Sequence, residues 1–182
     1  MTIFLHVCCG PCAVYPLQAL RDTGHSVSGL FYNPNIHPFQ EFKRRLNALE
    51  VFGQKTHFDV DYDRNYGLQG FLREVVFNET KRCQLCYAMR LKVTAQKAIE
   101  AKAEAFSTTL LYSRYQNHEQ IKKICENIAE TTGIPFYYED FREGWQEGVD
   151  RSIEMELYRQ PYCGCIYSEQ ERYDKSLRRK KS

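Results

Sequence analysis

Short apolar runs alternate with segments of helical period from the first residues onward, and no other feature constrains the fold of this chain as tightly. Residues 2–7 read as a buried strand, and 25–32 as a second strand with alternating polarity. Between them Pro11 suits a first helical turn, Leu17 and Leu20 supply an apolar face, and Gly24 is placed to stop the helix. Pro16 has to lie near the start of that helix or kink it. The pattern continues with helices expected over 38–52, 68–77 and 84–105 and a strand over 56–60. A β-branched and aromatic strand is expected over 106–112, an amphipathic helix over 120–132 and a last short strand over 134–138. Alternating strands and helices pair in parallel through right-handed crossovers, so the expected class is α/β, a three-layer Rossmann-like parallel sheet. Ligands of such sheets sit at the carboxyl ends of the strands, which nominates the residues just beyond the first one.

Those residues are His6-Val7-Cys8-Cys9-Gly10-Pro11-Cys12. A nucleotide enzyme of this architecture carries a glycine-rich phosphate loop here, and the absence of its repeated glycines and hydroxyls argues against ATP chemistry. The chain has 182 residues, 43% hydrophobic and 26% charged, which suits one substantial core and a single domain over 1–182. Residues 144–182 are expected to form a C-terminal helical extension packed on that core. No run approaches the roughly 18 apolar residues of a membrane span, and the amino terminus has no signal-peptide pattern, so the cytoplasm is the expected compartment and no membrane is implied. A reducing cytosol does not maintain a disulfide framework, and the eight cysteines therefore point to metal binding or redox work. The net charge of +2 neither announces nor excludes nucleic acid.

Two close pairs, Cys8-Cys9 and Cys83-Gln84-Leu85-Cys86, can together make one four-thiolate site for zinc or an iron-sulfur cluster. The second pair has the spacing of a metal-binding turn at a helix start, where the helix dipole, Lys81 and Arg82 favour thiolate. Adjacent residues in a strand face opposite ways, so the chain must leave the strand at Cys8-Cys9, and Gly10-Pro11 supplies that departure. Cys12 is open: a further ligand, a ligand to a second metal, or a packed residue. In Tyr162-Cys163-Gly164-Cys165 a disulfide would close a small, reducible ring; a redox dithiol and two reduced surface cysteines fit the spacing equally. Cys125 falls on a stripe with Ile121, Ile124 and Ile128 and reads as core.

Five stretches, taken together, carry a family resemblance. They are the cysteine motif at 6–12, Phe31-Tyr32-Asn33-Pro34-Asn35-Ile36-His37-Pro38, Arg82-Cys83-Gln84-Leu85-Cys86-Tyr87, Thr108-Thr109-Leu110-Leu111-Tyr112-Ser113, and the segment 157–168 around Cys163-Gly164-Cys165. In these the chain resembles the QueH family of epoxyqueuosine reductases. The resemblance implies an oxidoreductase for the last step of queuosine synthesis, which removes the epoxide oxygen of epoxyqueuosine at the wobble position of a tRNA anticodon. It implies a [4Fe-4S] cluster on Cys8, Cys9, Cys83 and Cys86, a redox-active Cys163/Cys165 pair, no cobalamin, and an external electron donor. It also implies the adenine-nucleotide α-hydrolase (HUP-type) fold with its phosphate loop replaced by the cysteine motif. An additional mononuclear iron is a further implication, for which Cys12 and Asp140 are candidates.

The reaction needs proton donors, for which His6, His37, Tyr87 and Tyr115 are candidates. A wobble base must be splayed out and stacked to be reached, and Tyr32, Tyr115, Tyr158, Tyr162 and Tyr167 could hold it, with Arg159 beside them. Lys43, Arg44, Arg45, Arg90, Arg151 and the basic tail could meet phosphates, although a solvated face is the usual fate of such residues. Two other readings keep the same thiols: a structural zinc Cys₄ RNA-binding protein, and a thiol-disulfide oxidoreductase acting on protein.

Overall fold

The structure, a computed structural model, describes residues 1–178, so most of the basic tail lies outside the described residues. Four strands form one parallel sheet in the order β3-β2-β1-β4, with β1 at Thr2–His6, β2 at Ser26–Phe31, β3 at Val60–Tyr62 and β4 at Ala105–Thr108. β1 is central: Ile3 stands opposite Val27 and Ala105, and Leu5 opposite Gly29 and Ser107. Ile3, Phe4 and Leu5 are all buried, as expected of a parallel strand covered on both faces. Helix α1 (Gly10–Asp22) lies against α2 (Phe39–Thr56) and α6 (Trp145–Glu154), while α4 (Arg82–Glu100) lies against α5 (His118–Thr132). The order of the crossovers puts the first group on one face and the second on the other, which gives the three layers of the α/β class. Three short helices complete the described course of the chain, α3 (Leu68–Val75) before α4, α7 (Ile166–Tyr173) after the cysteine-containing loop, and α8 (Lys175–Arg178).

Several element boundaries differ from expectation. Residues 56–60 are not a strand: α2 runs on to Thr56, where Arg21 donates to the carbonyls of Thr56 and His57, and β3 begins only at Val60. The expected strand 106–112 is β4 followed by a 3₁₀ turn, Thr109–Tyr112, which starts because the Thr108 hydroxyl accepts the Leu110 N–H. Residues 134–138 reduce to a single bridge, in which the Phe106 N–H donates to the Pro135 carbonyl and the Tyr137 N–H to the Phe106 carbonyl. Pro135 has no N–H with which to extend the ladder. Helix α5 starts two residues early because the Asn117 side chain caps it, accepting the Gln120 N–H at 3.1 Å. Cys125 is buried among Ile121 and Ile128, in the core as expected.

The start of α1 rests directly on the backbone of α2. A Cβ on Gly10 would lie 2.7 Å from the Ala48 carbonyl oxygen, so only glycine permits that contact, and the contact fixes where the cysteine motif enters its helix.

Candidate active site

After Val7 the chain turns out of the sheet and Cys9, extended at φ −174°, becomes the N-cap of α1. This brings three sulfurs together: Cys8, Cys9 and Cys12 have their Sγ atoms within 4.8 Å of one another. Cys12, whose role the spacing left open, is therefore a full member of the group. Its position three residues beyond an N-cap places it over Cys9 on the same end of the helix. The Thr109 hydroxyl accepts the Cys8 N–H at 3.3 Å and lies 3.6 Å from the Cys8 Sγ. Gln160 reaches in from the carboxyl-terminal loop, with its Oε1 3.2 Å from the Cys9 Sγ and its Nε2 donating to the Cys12 Sγ at 3.3 Å. Hydrogen bonding from Cys12, Cys9 and Thr109 holds Cys8 well below the usual thiol range; burial pushes Cys9 up, and its bond to Cys8 keeps Cys12 up as well.

Cys83 and Cys86 stand outside this triad, in the first two turns of α4, with Cys86 packed beside Cys165, Phe71 and Val75. Burial pushes Cys86 up to about 12. Cys163 and Cys165 occupy different settings. Cys163 is exposed at a cavity rim and receives a 3.0 Å hydrogen bond from the Gln116 amide, itself held by the Tyr87 hydroxyl at 2.7 Å. Cys165 is buried and caps α7, its Sγ accepting the Ser168 N–H at 3.4 Å. Both thiols are free. The loop between them is clamped from below by Arg45, which donates to the carbonyls of Cys163 at 2.6 Å and Tyr162 at 2.9 Å while pairing with Glu41 at 2.7 Å.

Arg90 lines a cavity of about 530 Å³ together with Cys8, Cys12, Gln116, Trp145 and Cys163 among others. That volume suits a small-molecule site. One wall is aromatic: Tyr112 stacks on Trp145 with centroids 5.0 Å apart, and Tyr115 meets Trp145 edge-on at 5.6 Å. Gly148 makes this wall possible, since a Cβ there would come within 2.3 Å of the Tyr112 hydroxyl oxygen. Trp145 and Gln116 belong to none of the sequence motifs, and Tyr112 and Gln160 lie inside two of them without a chemical signal of their own. Only nearness to the cysteines in sequence or in those motifs could have pointed to them.

The other expected residues divide sharply. Tyr115 and Arg159 line the cavity, as does Tyr162, whereas Tyr32 and Tyr158 are not among its lining residues. The Tyr158 hydroxyl donates to Glu41, and Tyr32 offers its carbonyl to His6. Asp140 accepts from the Arg142 side chain and backbone, capping the turn before α6, and is not brought to the thiols. Arg45 and Arg90 are interior residues rather than phosphate contacts, since both helices turn them inward. His6 is spent inside: a carbonyl only accepts, so Nε2 donates to Tyr32 and Nδ1 faces the Thr108 hydroxyl at 3.0 Å, and burial lowers its pKa to about 3. His37 is likewise buried and lowered to about 4. Of the four donor candidates, Tyr115 alone has an open position, at 84% exposure.

Sulfur-only donors at this separation suit iron or zinc, and a buried guanidinium beside them suits the negative charge that a metal-thiolate group carries. The cysteine set fits such a group. Among the described residues, no helix is long and apolar enough to cross a membrane.

A parallel α/β scaffold that ends its central strand in three clustered thiols, beside a cavity with an aromatic wall, has the frame of an enzyme and offers a metal ion three sulfur ligands. The family model described as "Epoxyqueuosine reductase QueH" matches residues 3–171, and the chain belongs to that family of oxidoreductases. It is 36% identical over 173 residues to the epoxyqueuosine reductase QueH of Dehalococcoides mccartyi, covering 95% of each chain. To the protein of the same name from Thermotoga maritima it is 35% identical over 184 residues, covering 96% of this chain and 93% of that one. Among solved structures, a predicted subunit of tRNA methyltransferase from Methanocaldococcus jannaschii matches with a TM-score of 0.52 at 11% identity, over 81% of this chain and 76% of that chain. That likeness is one of fold, in keeping with the expected HUP-type architecture.

Proposed function

We propose that this protein reduces the epoxide of epoxyqueuosine in the wobble nucleotide of a tRNA anticodon, giving queuosine, with Cys8, Cys9, Cys83 and Cys86 holding a [4Fe-4S] cluster and Cys12 beside it. The observation that carries the reading is the cavity in which Cys8, Cys12 and Cys163 share a lining with an aromatic wall. When bound, the cluster supplies electrons singly, without cobalamin. Opening an epoxide to an alkene and water consumes two electrons and two protons. On closing to a disulfide the Cys163/Cys165 dithiol releases the two electrons and two protons that the reaction consumes, and an external reductant then reopens it.

The chain's own residues do the rest. Trp145 and Tyr115 stack the splayed base, and Tyr112, donating its hydroxyl to the Trp145 carbonyl at 2.9 Å, holds that wall in place. Arg159 lies at the rim, where a phosphate of the anticodon backbone passes. Gln116 presents Cys163 to the cavity. Tyr115 relays one of the two dithiol protons to the departing oxygen and is reprotonated from the dithiol, so the total stays at two. The carboxyl-terminal segment 144–182 contributes Trp145, Arg159 and both redox cysteines, so it acts as part of one domain with the sheet.

The test is anaerobic reconstitution with iron and sulfide, followed by mass analysis of tRNA nucleosides. Conversion of epoxyqueuosine to queuosine by a brown protein is the expected result, with Trp145→Ala raising KM by an order of magnitude or more. A colourless, zinc-loaded protein without conversion would overturn the reading in favour of a structural zinc site. Unchanged multiple turnover in Cys163→Ser/Cys165→Ser would remove the dithiol from it.

A further inference from the structure

Arg90 is buried to 2% exposure in the middle of α4, facing inward. Its Nε donates to the Cys86 carbonyl at 3.2 Å, and its guanidinium lies 5.9 Å from the Tyr87 ring centroid. Its Nη2 is buried without a hydrogen-bond partner, and among the described residues no carboxylate pairs with it. It lines the cavity with Cys8 and Cys163, and its charge interacts with Cys86, Cys163, Cys8 and Tyr87. A guanidinium held inside without an anion is strongly disfavoured, so a fold that places one there leaves a charge to be answered. Besides the Tyr87 phenol, which burial pushes up, the groups that interact with its charge are the thiols Cys86, Cys163 and Cys8, and they come from both cysteine groups.

We propose that Arg90 is the positioning cation shared by the two thiol groups: it compensates the negative charge that appears when metal binding strips their protons, and it sets the reduction potential of the group they hold. This rests on the iron-sulfur reading above. A fixed positive charge favours the reduced, more negative state and so raises the potential, with Nη2 free to donate to sulfur. Before metal binds, the same charge is a burden on the folded state.

The experiment uses the full chain with Arg90→Met and Arg90→Lys. In metal-free protein, Arg90→Met is expected to melt at or above the wild-type temperature, because an apolar side chain of similar length replaces an uncompensated charge. After reconstitution with iron and sulfide, anaerobic spectroelectrochemical titration is expected to show Arg90→Met at a more negative midpoint than wild type, with Arg90→Lys close to wild type. An Arg90→Met protein that is unfolded or melts lower without metal would show that Arg90 serves as ordinary structural support, and the proposal fails. An unchanged midpoint in Arg90→Met fails it too. If wild-type protein takes up no iron-sulfur group at all, the functional reading fails, while the metal-free melting comparison still decides whether Arg90 stands uncompensated.

Discussion

Arg45 and Arg90 are both almost wholly buried, at 1% and 2% exposure, yet their surroundings are opposites. Arg45 is answered in full: Glu41 takes its Nε, the carbonyls of Cys163 and Tyr162 take its two Nη groups, and the Tyr162 ring lies 5.5 Å away. Arg90 has one carbonyl and leaves Nη2 with nothing. The first arginine is a finished piece of structure that ties the Cys163-Gly164-Cys165 loop to α2. The second, on the proposal above, is the one that metal-borne negative charge would answer. A buried cation is thus informative only together with its partners, because burial alone describes both residues equally.

The sharpest way to break this comparison is to make the same substitution at both sites. Arg45→Met leaves the Glu41 carboxylate buried without its partner and frees two loop carbonyls, so a loss of about 3–5 kcal/mol in urea unfolding is expected. Arg90→Met in metal-free protein should show no such loss. Equal losses at the two positions would erase the distinction. A gentler probe is Glu41→Gln, which keeps the shape of the site but removes the charge that holds Arg45 and receives the Tyr158 hydroxyl. About 2 kcal/mol is expected, the scale of a charge-assisted hydrogen bond. A change within a few tenths of zero would mean that the loop carbonyls satisfy Arg45 on their own.

The Arg45 side also has a pH-sensitive neighbour. The His37 backbone N–H donates to the Gly164 carbonyl, and the His37 carbonyl receives the Tyr162 hydroxyl, so this residue buttresses the same loop. Burial lowers its pKa from about 6.5 to about 4, which means the unfolded chain binds the proton more readily. Its contribution to stability is therefore complete above pH 6.5 and is lost as the pH falls toward 4, with a slope of at most about 1.4 kcal/mol per pH unit. Unfolding measured from pH 7 to pH 4 should fall more steeply for wild type than for His37→Gln. Parallel curves would show that His37 stays protonatable in the folded protein.

The difference between the two arginines could not be read from the sequence, and the reason is physical. In α2 and α4 they sit among Lys, Glu and Gln in helices whose charged positions ordinarily face water, and the partners of Arg45 come from 117 and 118 residues further along the chain. Local periodicity carries no information about a loop that returns from so far away. The strands were legible because Ile3, Phe4 and Leu5 are apolar without interruption, and the thiol site because Gly10-Pro11 forces the chain out of the sheet at Cys8-Cys9. The membership of Cys12 was half legible: an N-cap and the third helical residue stack, but only once Cys9 is known to be the cap. The aromatic wall was hidden since Trp145 belongs to no motif and reaches the site through the packing of α6 on α1.

Asp140 sharpens the boundary of the charged centre from outside, with the smallest expected effect. The resemblance made it a candidate ligand, and its chemistry would permit that. Its oxygens are instead given to Arg142, at 2.7 Å and 2.5 Å from the side chain and 3.1 Å from the backbone N–H, in a pair about one-third exposed. A cap of this kind contributes about 1 kcal/mol, and a pair so open to water adds little. Asp140→Ala should therefore cost about 1 kcal/mol in unfolding and leave the iron content after reconstitution at the wild-type level, where Cys8→Ala lowers it. Iron lost from Asp140→Ala at unchanged stability would move Asp140 from the cap to the metal, and the negative charge answering Arg90 would then include a carboxylate.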